Sequence, residues 1–312
     1  MFREIIVPFA LGLVVFLFGL NHMRTGLEEL AEDRLRNVLI RFTRTPVRGF
    51  FTGIVTTALL QSSTAVTVLT IGFVSAGMMT FAQSVGIILG TNIGTTVTTQ
   101  ILALKVEDLA VPLTVSGAVL WAVPSMTWSR IGQSLTGFGL IFLGIEWMQR
   151  VAEPIKEQGW LDVLAEAGGS PVVAGLAAGT ILTALIHSSS ATIAMTMGFY
   201  SSGAIDLPMA IAVVLGSNVG TCMTAVLATV GASRESKQVA TAHLVLNLAG
   251  MLAFLPLIPW LTDLAPWLSE DPAVQIAHIQ TLFNVICSVL VLPFCEPFAR
   301  SIVRLTPGKS AW

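Results

Sequence analysis

Two apolar stretches of the 312-residue chain, 49–77 and 175–203, are each cut in the middle by a short polar cluster, Gln61-Ser62-Ser63-Thr64 in one and His187-Ser188-Ser189-Ser190 in the other. A transmembrane helix takes roughly 20 apolar residues, and the arms flanking each cluster are only about 12 to 15. Each stretch therefore predicts a re-entrant hairpin that enters a bilayer and returns to its starting side. Its polar tip is held at depth, where only protein or a water-lined cavity can satisfy it. The stretches are also copies of one another. GFFTGIVTTALLQSSTAVTVLTIGFVSAG aligns with GLAAGTILTALIHSSSATIAMTMGFYSSG without a gap, each position recurring 126 residues later.

The duplication extends on both sides. Gly90-Thr91-Asn92-Ile93-Gly94-Thr95 falls on Gly216-Ser217-Asn218-Val219-Gly220-Thr221, and Thr98 on Thr224, at the same interval of 126. FLFGLNHM around Gly19 is similar to IFLGIEWM around Gly144, and LTVSGAVLWAVP around Gly117 to LNLAGMLAFLPL around Gly250. Uninterrupted apolar stretches run at 5–23, 81–104, 110–128, 131–149, 207–230, 239–261 and 276–298. With 54% hydrophobic residues, 11% charged and a mean hydropathy of +0.81, the chain has too little polar surface to cover a soluble globule. It reads as an all-α polytopic protein of the plasma membrane, or of the inner membrane in a bacterium. Residues 1–129 form a first repeat with hairpin 49–77, 130–262 a second with hairpin 175–203, and 263–312 an extra C-terminal transmembrane helix and tail.

A repeat of one span, one hairpin and two further spans crosses three times, so its copy starts on the opposite face and the repeats have inverted topology. Charge agrees. Placing the six arginines from Arg24 to Arg48 in the cytoplasm puts twelve of the sixteen Lys and Arg residues inside and leaves Arg3, Lys105, Arg150 and Lys156 outside. The corresponding outer loop carries Glu153, Glu157, Asp162 and Glu166. Segment 24–44 alternates charge with Leu, Val and Phe and predicts an amphipathic helix on the inner surface. Cys222, Cys287 and Cys295 sit in apolar segments without metal-ligand spacing.

Inverted repeats with interrupted helices are the architecture of secondary transporters, which share one midplane site between two halves. Each tip is followed by a half-helix whose first N–H groups lack intrahelical partners and whose dipole acts as roughly half a positive charge. Ser and Thr hydroxyls add donors that turn toward a ligand. Together these describe an oxyanion site. Neither 49–104 nor 175–230 contains Lys or Arg. Two half-helix ends offer about one positive unit, which leaves the rest of a dianion's charge for a bound cation. Hard cations prefer hydroxyl, amide and carbonyl oxygens, which Asn92, Thr95, Thr98, Ser217, Asn218, Thr221 and Thr224 offer. Cotransport of an anion with sodium follows from that electrostatics.

At these residues the chain resembles the type II sodium-phosphate cotransporter family, whose marks are a QSSS hairpin in each repeat followed by a GSNIGTT segment. The resemblance implies inorganic phosphate held between Ser62, Ser63, Thr64 and Ser188, Ser189, Ser190, with Gln61 as ligand or organiser and His187 in the second glutamine's place. Asn92 and Asn218 belong to the same predicted substrate set. It places sodium near Thr95, Thr96, Ser188, Thr221 and Thr224; Thr98 and Ser217 complete the candidate oxygens. His243 with Asn247 is a further family-like element, and His278 with Asn284 a looser one. The implied partners are phosphate, sodium and the bilayer, with no cofactor beyond the coupling ion and no nucleic acid; a homo-oligomer is compatible with this reading.

The sequence departs from the family at three places. Thr64 keeps a hydroxyl. His187 puts in the tip an imidazole, a group that changes charge near neutral pH. Leu113-Thr114-Val115-Ser116 offers no carboxylate where electrogenic members carry one. Alternative functions are a transporter of sulfate or a dicarboxylate, a channel, or an intramembrane serine hydrolase built on His187 and Ser188. A hydrolase needs its nucleophile once, whereas these clusters are duplicated, so the chain is not read as an enzyme. The missing arginine disfavours planar carboxylates.

Overall fold

The computed structural model describes residues 5–104, 107–151, 154 and 169–306, leaving aside the side chains of 32–37, 40, 41 and 107. Arg3, Lys105, the acidic outer stretch from Glu153 to Glu166 with Lys156 and Trp160, and Lys309 lie outside the described residues. Those described are helical, without strands.

The first helix, α1 (Val7–Phe42), runs unbroken for 36 residues. The sequence predicts a span at 5–23 followed by a separate surface helix, and the structure joins them. Residues 24–39 are rich in Leu, Arg and Glu, which favour a helix, contain no proline, and carry one glycine, Gly26, packed closely against Arg130 and Ser134, so the helix continues through them. At 1.5 Å per residue it is about 54 Å long, well beyond a hydrocarbon core of about 30 Å.

Two pairs of helices joined by short polar turns form at the positions of the interrupted stretches. Helices α2 (Pro46–Leu60) and α3 (Ser63–Ser75) make the first, and α4 (Phe81–Leu102) follows, capped by a reciprocal Thr80–Gln83 box. Helix α5 (Ala110–Trp121) is only 12 residues, about 18 Å, against the 19 expected for the span 110–128. Pro124 stops it, because the residue before a proline is pushed out of helical geometry. Helix α6 (Met126–Gln149) packs along α5 and α1. The α1 and α6 backbones meet through small residues: a Cβ on Gly19 would lie 2.7 Å from the Gly137 carbonyl oxygen.

The second half repeats the plan with α7 (Pro171–Ile186), α8 (Ser189–Ser201), α9 (Leu207–Ala228, capped by Asp206) and α10 (Arg234–Phe254). The predicted spans 239–261 and 276–298 are each cut at a 3₁₀ turn, Leu255-Pro256-Leu257 and Leu292-Pro293-Phe294. Proline removes the N–H that would continue the helix. The chain resumes as α11 (Ile258–Leu268) after the first and α13 (Cys295–Leu305) after the second, with α12 (Pro272–Val291) between. Five helical stretches among the described residues are long and apolar enough to cross a membrane.

Polarity is reversed relative to a soluble protein. Leu59, Val119 and Leu185 are 66%, 66% and 73% exposed, whereas Thr70, Ser84, Thr99, Ser217 and Gln280 are buried. Such an exterior is stable only against lipid, with the polar groups collected around α4 and α9. Each of these central helices is fixed against its hairpin by close approach: a Cβ on Gly90 would collide with the Phe50 carbonyl, and one on Gly216 with that of Leu176.

Candidate functional site

Gln61 ends α2 at φ 55, ψ 27, and His187 ends α7 at φ 57, ψ 29. Among the described residues these are the two non-glycine positions with positive φ, and they are 126 positions apart. L-residues avoid this left-handed region at a cost of roughly 1–2 kcal/mol, and such strain clusters at functional sites. The left-handed residue reverses the chain within a few atoms, so the second arm starts at once. Ser62 and Ser188 then cap α3 and α8: Ser62 Oγ accepts from the Ala65 N–H at 3.2 Å and Ser188 Oγ from Ala191 N–H at 3.3 Å. The following turns carry the helix ends' unpartnered N–H groups.

The two tips share a narrow cavity of about 10 Å³ lined by Gln61, Ser63, Thr64, His187 and Ser188 to Ser190, by Thr95 and Thr98 of α4, by Thr221 of α9, and by Arg24 of α1. A single water takes about 10–15 Å³, so the tips are closed together and must part to admit a tetrahedral oxyanion. Among the described residues the hydroxyls of Ser63, Thr64, Thr98, Ser189 and Ser190 have no protein hydrogen-bond partner. Thr95 and Thr221 donate back to the carbonyls of Thr91 and Ser217, at 2.8 and 2.9 Å, keeping their oxygen lone pairs free to accept. The Gln61 amide folds onto its own helix, its Nε2 donating to the Ala58 carbonyl at 2.5 Å, which suits an organiser of the tip.

Other predicted residues stand outside the cavity. Thr96, Ser217 and Thr224 donate to the carbonyls of Ile93, Val214 and Thr221, each at 2.8 Å. Asn92 and Asn218 meet at Asn247 of α10 instead. Asn92 Nδ2 donates to Asn247 Oδ1 at 2.8 Å, and Asn247 Nδ2 donates to the Asn218 carbonyl at 3.1 Å. The asparagines thus tie α4, α10 and α9 together behind the site. His243, one turn before Asn247, is buried with both ring nitrogens unpartnered among the described residues. His278 Nδ1 lies 3.1 Å from Gln100 Nε2, and neither residue lines the tip cavity.

Arg24 is the residue that sequence reasoning assigned elsewhere, to the inner surface loop. Because α1 continues unbroken, Arg24 stays on the span and reaches the first tip, where its Nε donates to the Gln61 carbonyl at 2.7 Å. The available signal was its place directly after FLFGLNHM, at the end of an apolar run with no proline behind it until Pro46.

A larger cavity of about 500 Å³ lies at the C-terminal ends of α4, α6 and α8, walled by Phe142, Gln149, Ala194, Ser202 and Asp271 among others. Ala194 is one helical turn beyond Ser190 on α8, so about 5.4 Å of helix separates this vestibule from the tip cavity.

Residues 15–150 and 155–260 match the Na+/Pi-cotransporter family. The chain is 40% identical over 306 residues to the Bacillus subtilis (strain 168) protein YqeW, covering 98% of this chain and 99% of that one. It is 28% identical over 300 residues, 95% of this chain, to the Escherichia coli (strain K12) protein YjbB, which is provisionally named for inorganic phosphate export; the match spans 55% of that protein's length. It is 44% identical over 139 residues to the mouse sodium-dependent phosphate transport protein 2A, covering 43% of this chain and 21% of that protein. No solved structure matches.

Proposed function

The chain belongs to the Na+/Pi-cotransporter family, a family of multi-pass membrane transporters, and on that premise we propose that it carries inorganic phosphate by alternating access with sodium as the coupling ion. The observation that carries the reading is the convergence of the α3 and α8 N-termini on one cavity lined by unpartnered hydroxyls. Backbone N–H groups and hydroxyls satisfy a tetrahedral oxyanion, whose oxygens accept in every direction. Phosphate sits between Ser63, Thr64 and Ser188 to Ser190. Sodium takes the oxygens of Thr95, Thr98 and Thr221 on the cavity wall. The hairpins belong to inverted repeats, and the closed tips with a vestibule one turn away suit a site reached from one side at a time.

Arg24 changes the charge argument. A guanidinium beside the tips supplies positive charge that the sequence alone assigned to a cation, so sodium coupling rests on the oxygen-rich wall and on the family. It also removes the ground for setting aside dicarboxylates. Uptake of labelled phosphate into proteoliposomes tests the reading. An imposed inward sodium gradient should drive accumulation severalfold over a potassium control, with sulfate and succinate in excess competing weakly. Uptake indifferent to sodium would remove the coupling ion, and strong competition by succinate with no phosphate uptake would remove the substrate.

A further inference from the structure

The geometry points to Arg24 as a phosphate-binding residue, the one fixed positive charge among the described residues that line the site, a role that rests on the phosphate reading above. Three observations converge on it. The side chain lines the tip cavity together with Ser189 and Ser190, which are 7% and 1% exposed and have no protein partner for their hydroxyls among the described residues. Its Nε is committed to the Gln61 carbonyl, which fixes the plane of the guanidinium; the terminal nitrogens make no further hydrogen bond and no ion pair with any described residue. Its acidic companions are not in contact with it: Glu28, one turn along α1, acts on it electrostatically from beyond ion-pair distance, and Glu29 is paired with Arg130.

Charge balance then favours a dianion. The two helix ends contribute about one positive unit and Arg24 a second, matching a doubly charged phosphate in a pocket too small for much water. A planar guanidinium held by its Nε presents its remaining N–H groups as a fork, the geometry that suits two oxygens of one phosphate. The internal duplication supports a ligand role over a purely structural one. In the alignment of FLFGLNHM with IFLGIEWM the position after methionine is Arg24 in the first half and Gln149 in the second, and Gln149 stands in the vestibule wall beside Gly198. The tips are duplicated, while the charge occurs once, as one anion requires. Because the same side chain holds the Gln61 carbonyl, a phosphate drawn onto its terminal nitrogens is linked directly to the position of the first hairpin.

The test compares wild type, Arg24→Gln and Arg24→Lys in detergent, titrating phosphate against the thermal unfolding midpoint, and in proteoliposomes, separating KM from kcat. Arg24→Gln should weaken phosphate about thirtyfold, the fold-change carried by loss of a charge-assisted interaction. Arg24→Lys, which keeps the charge and loses the fork, should recover most of that loss. Without phosphate, both variants lose the Nε bond to the Gln61 carbonyl and should unfold at the same slightly lowered temperature. Equal phosphate affinity in wild type and Arg24→Gln would overturn the inference and leave the phosphate reading standing. Equal loss of phosphate affinity in both variants, with no recovery by Arg24→Lys, would make Arg24 a strut for the hairpin and also overturn it. Absence of phosphate binding by wild type would fail the substrate reading itself.

Discussion

Gln61 and His187 hold a conformation that glycine adopts at no steric cost, and the chain keeps a functional side chain there in both halves. Strain retained at two positions 126 residues apart means that the side chain is worth more to the protein than the relaxation. His187→Gly should therefore raise the thermal midpoint, releasing about 0.5–1 kcal/mol, and lower phosphate uptake; His187→Gln should preserve both. A fall in midpoint for the glycine variant would show that the imidazole holds the tip together. Much at this scale was legible in the sequence, because polar residues that interrupt an apolar arm must have a reason to be at depth. Seven of the predicted tip residues, Gln61, Ser63, Thr64, His187 and Ser188 to Ser190, line the cavity. What was not legible is which hydroxyls face the cavity. Thr96 and Thr224 look like Thr95 and Thr221 in sequence, and only the azimuth around α4 and α9 separates wall from interior. Arg24 was lost for a different reason: a charged side chain at the edge of an apolar run is ordinarily interfacial.

At the scale of elements, hydropathy located the hairpins and the central helices α4 and α9 to within a few residues, because each has an unambiguous start: Pro46 and Pro171, the Thr80 box, the Asp206 cap. It misplaced the ends of the outer helices. Apolar runs continue through Pro124, Pro256 and Pro293, and hydropathy does not register the missing N–H that ends the helix. The asparagines of the duplicated segments were read as ligands because amide oxygens suit a cation; in the structure the Asn92 amide holds α4 to α10, and the Asn218 amide donates back to the Val214 carbonyl of its own helix. Asn247 receives Asn92 and binds the Asn218 carbonyl, so Asn247→Ala removes two interhelical hydrogen bonds and leaves the half-buried Asn92 amide without its partner. Interhelical bonds in membranes average about 0.6 kcal/mol and unsatisfied polar groups add to the loss. We expect Asn247→Ala to destabilise by about 1–2 kcal/mol, while Ser189→Ala, which removes only an unpartnered hydroxyl, leaves the midpoint unchanged and abolishes uptake. The reverse pattern in a melting series would move the functional site from the tips to the asparagines.

Across the whole molecule the two halves are matched in detail and unequal in environment. Gly77 and Gly203 close the second hairpin arms at φ 68 and 69, and Thr80 and Asp206 cap the helices that follow, all at the 126-residue interval. Yet the large vestibule lies against the second hairpin, with Gly198 touching Gln149, and the charged side chain lies against the first. Such asymmetry is what one state of a two-state carrier requires: a site between equivalent halves is open to one side only when the halves differ. If the repeats are inverted, equivalent positions at the ends of the two hairpins face opposite sides of the membrane. Ala76 and Ser202 are such a pair, both exposed and 126 residues apart. In a background with Cys222, Cys287 and Cys295 replaced, Ala76→Cys should react with an impermeant maleimide only from the cytoplasmic face and Ser202→Cys only from outside. Ser202 also borders the vestibule, so its labelling rate should change severalfold when sodium and phosphate are supplied together, the Ala76 site moving in the opposite sense as the carrier turns over. Labelling of both positions from one face would mean that the hairpins enter from the same side, and the shared midplane site could not then be reached alternately by parting one tip and then the other.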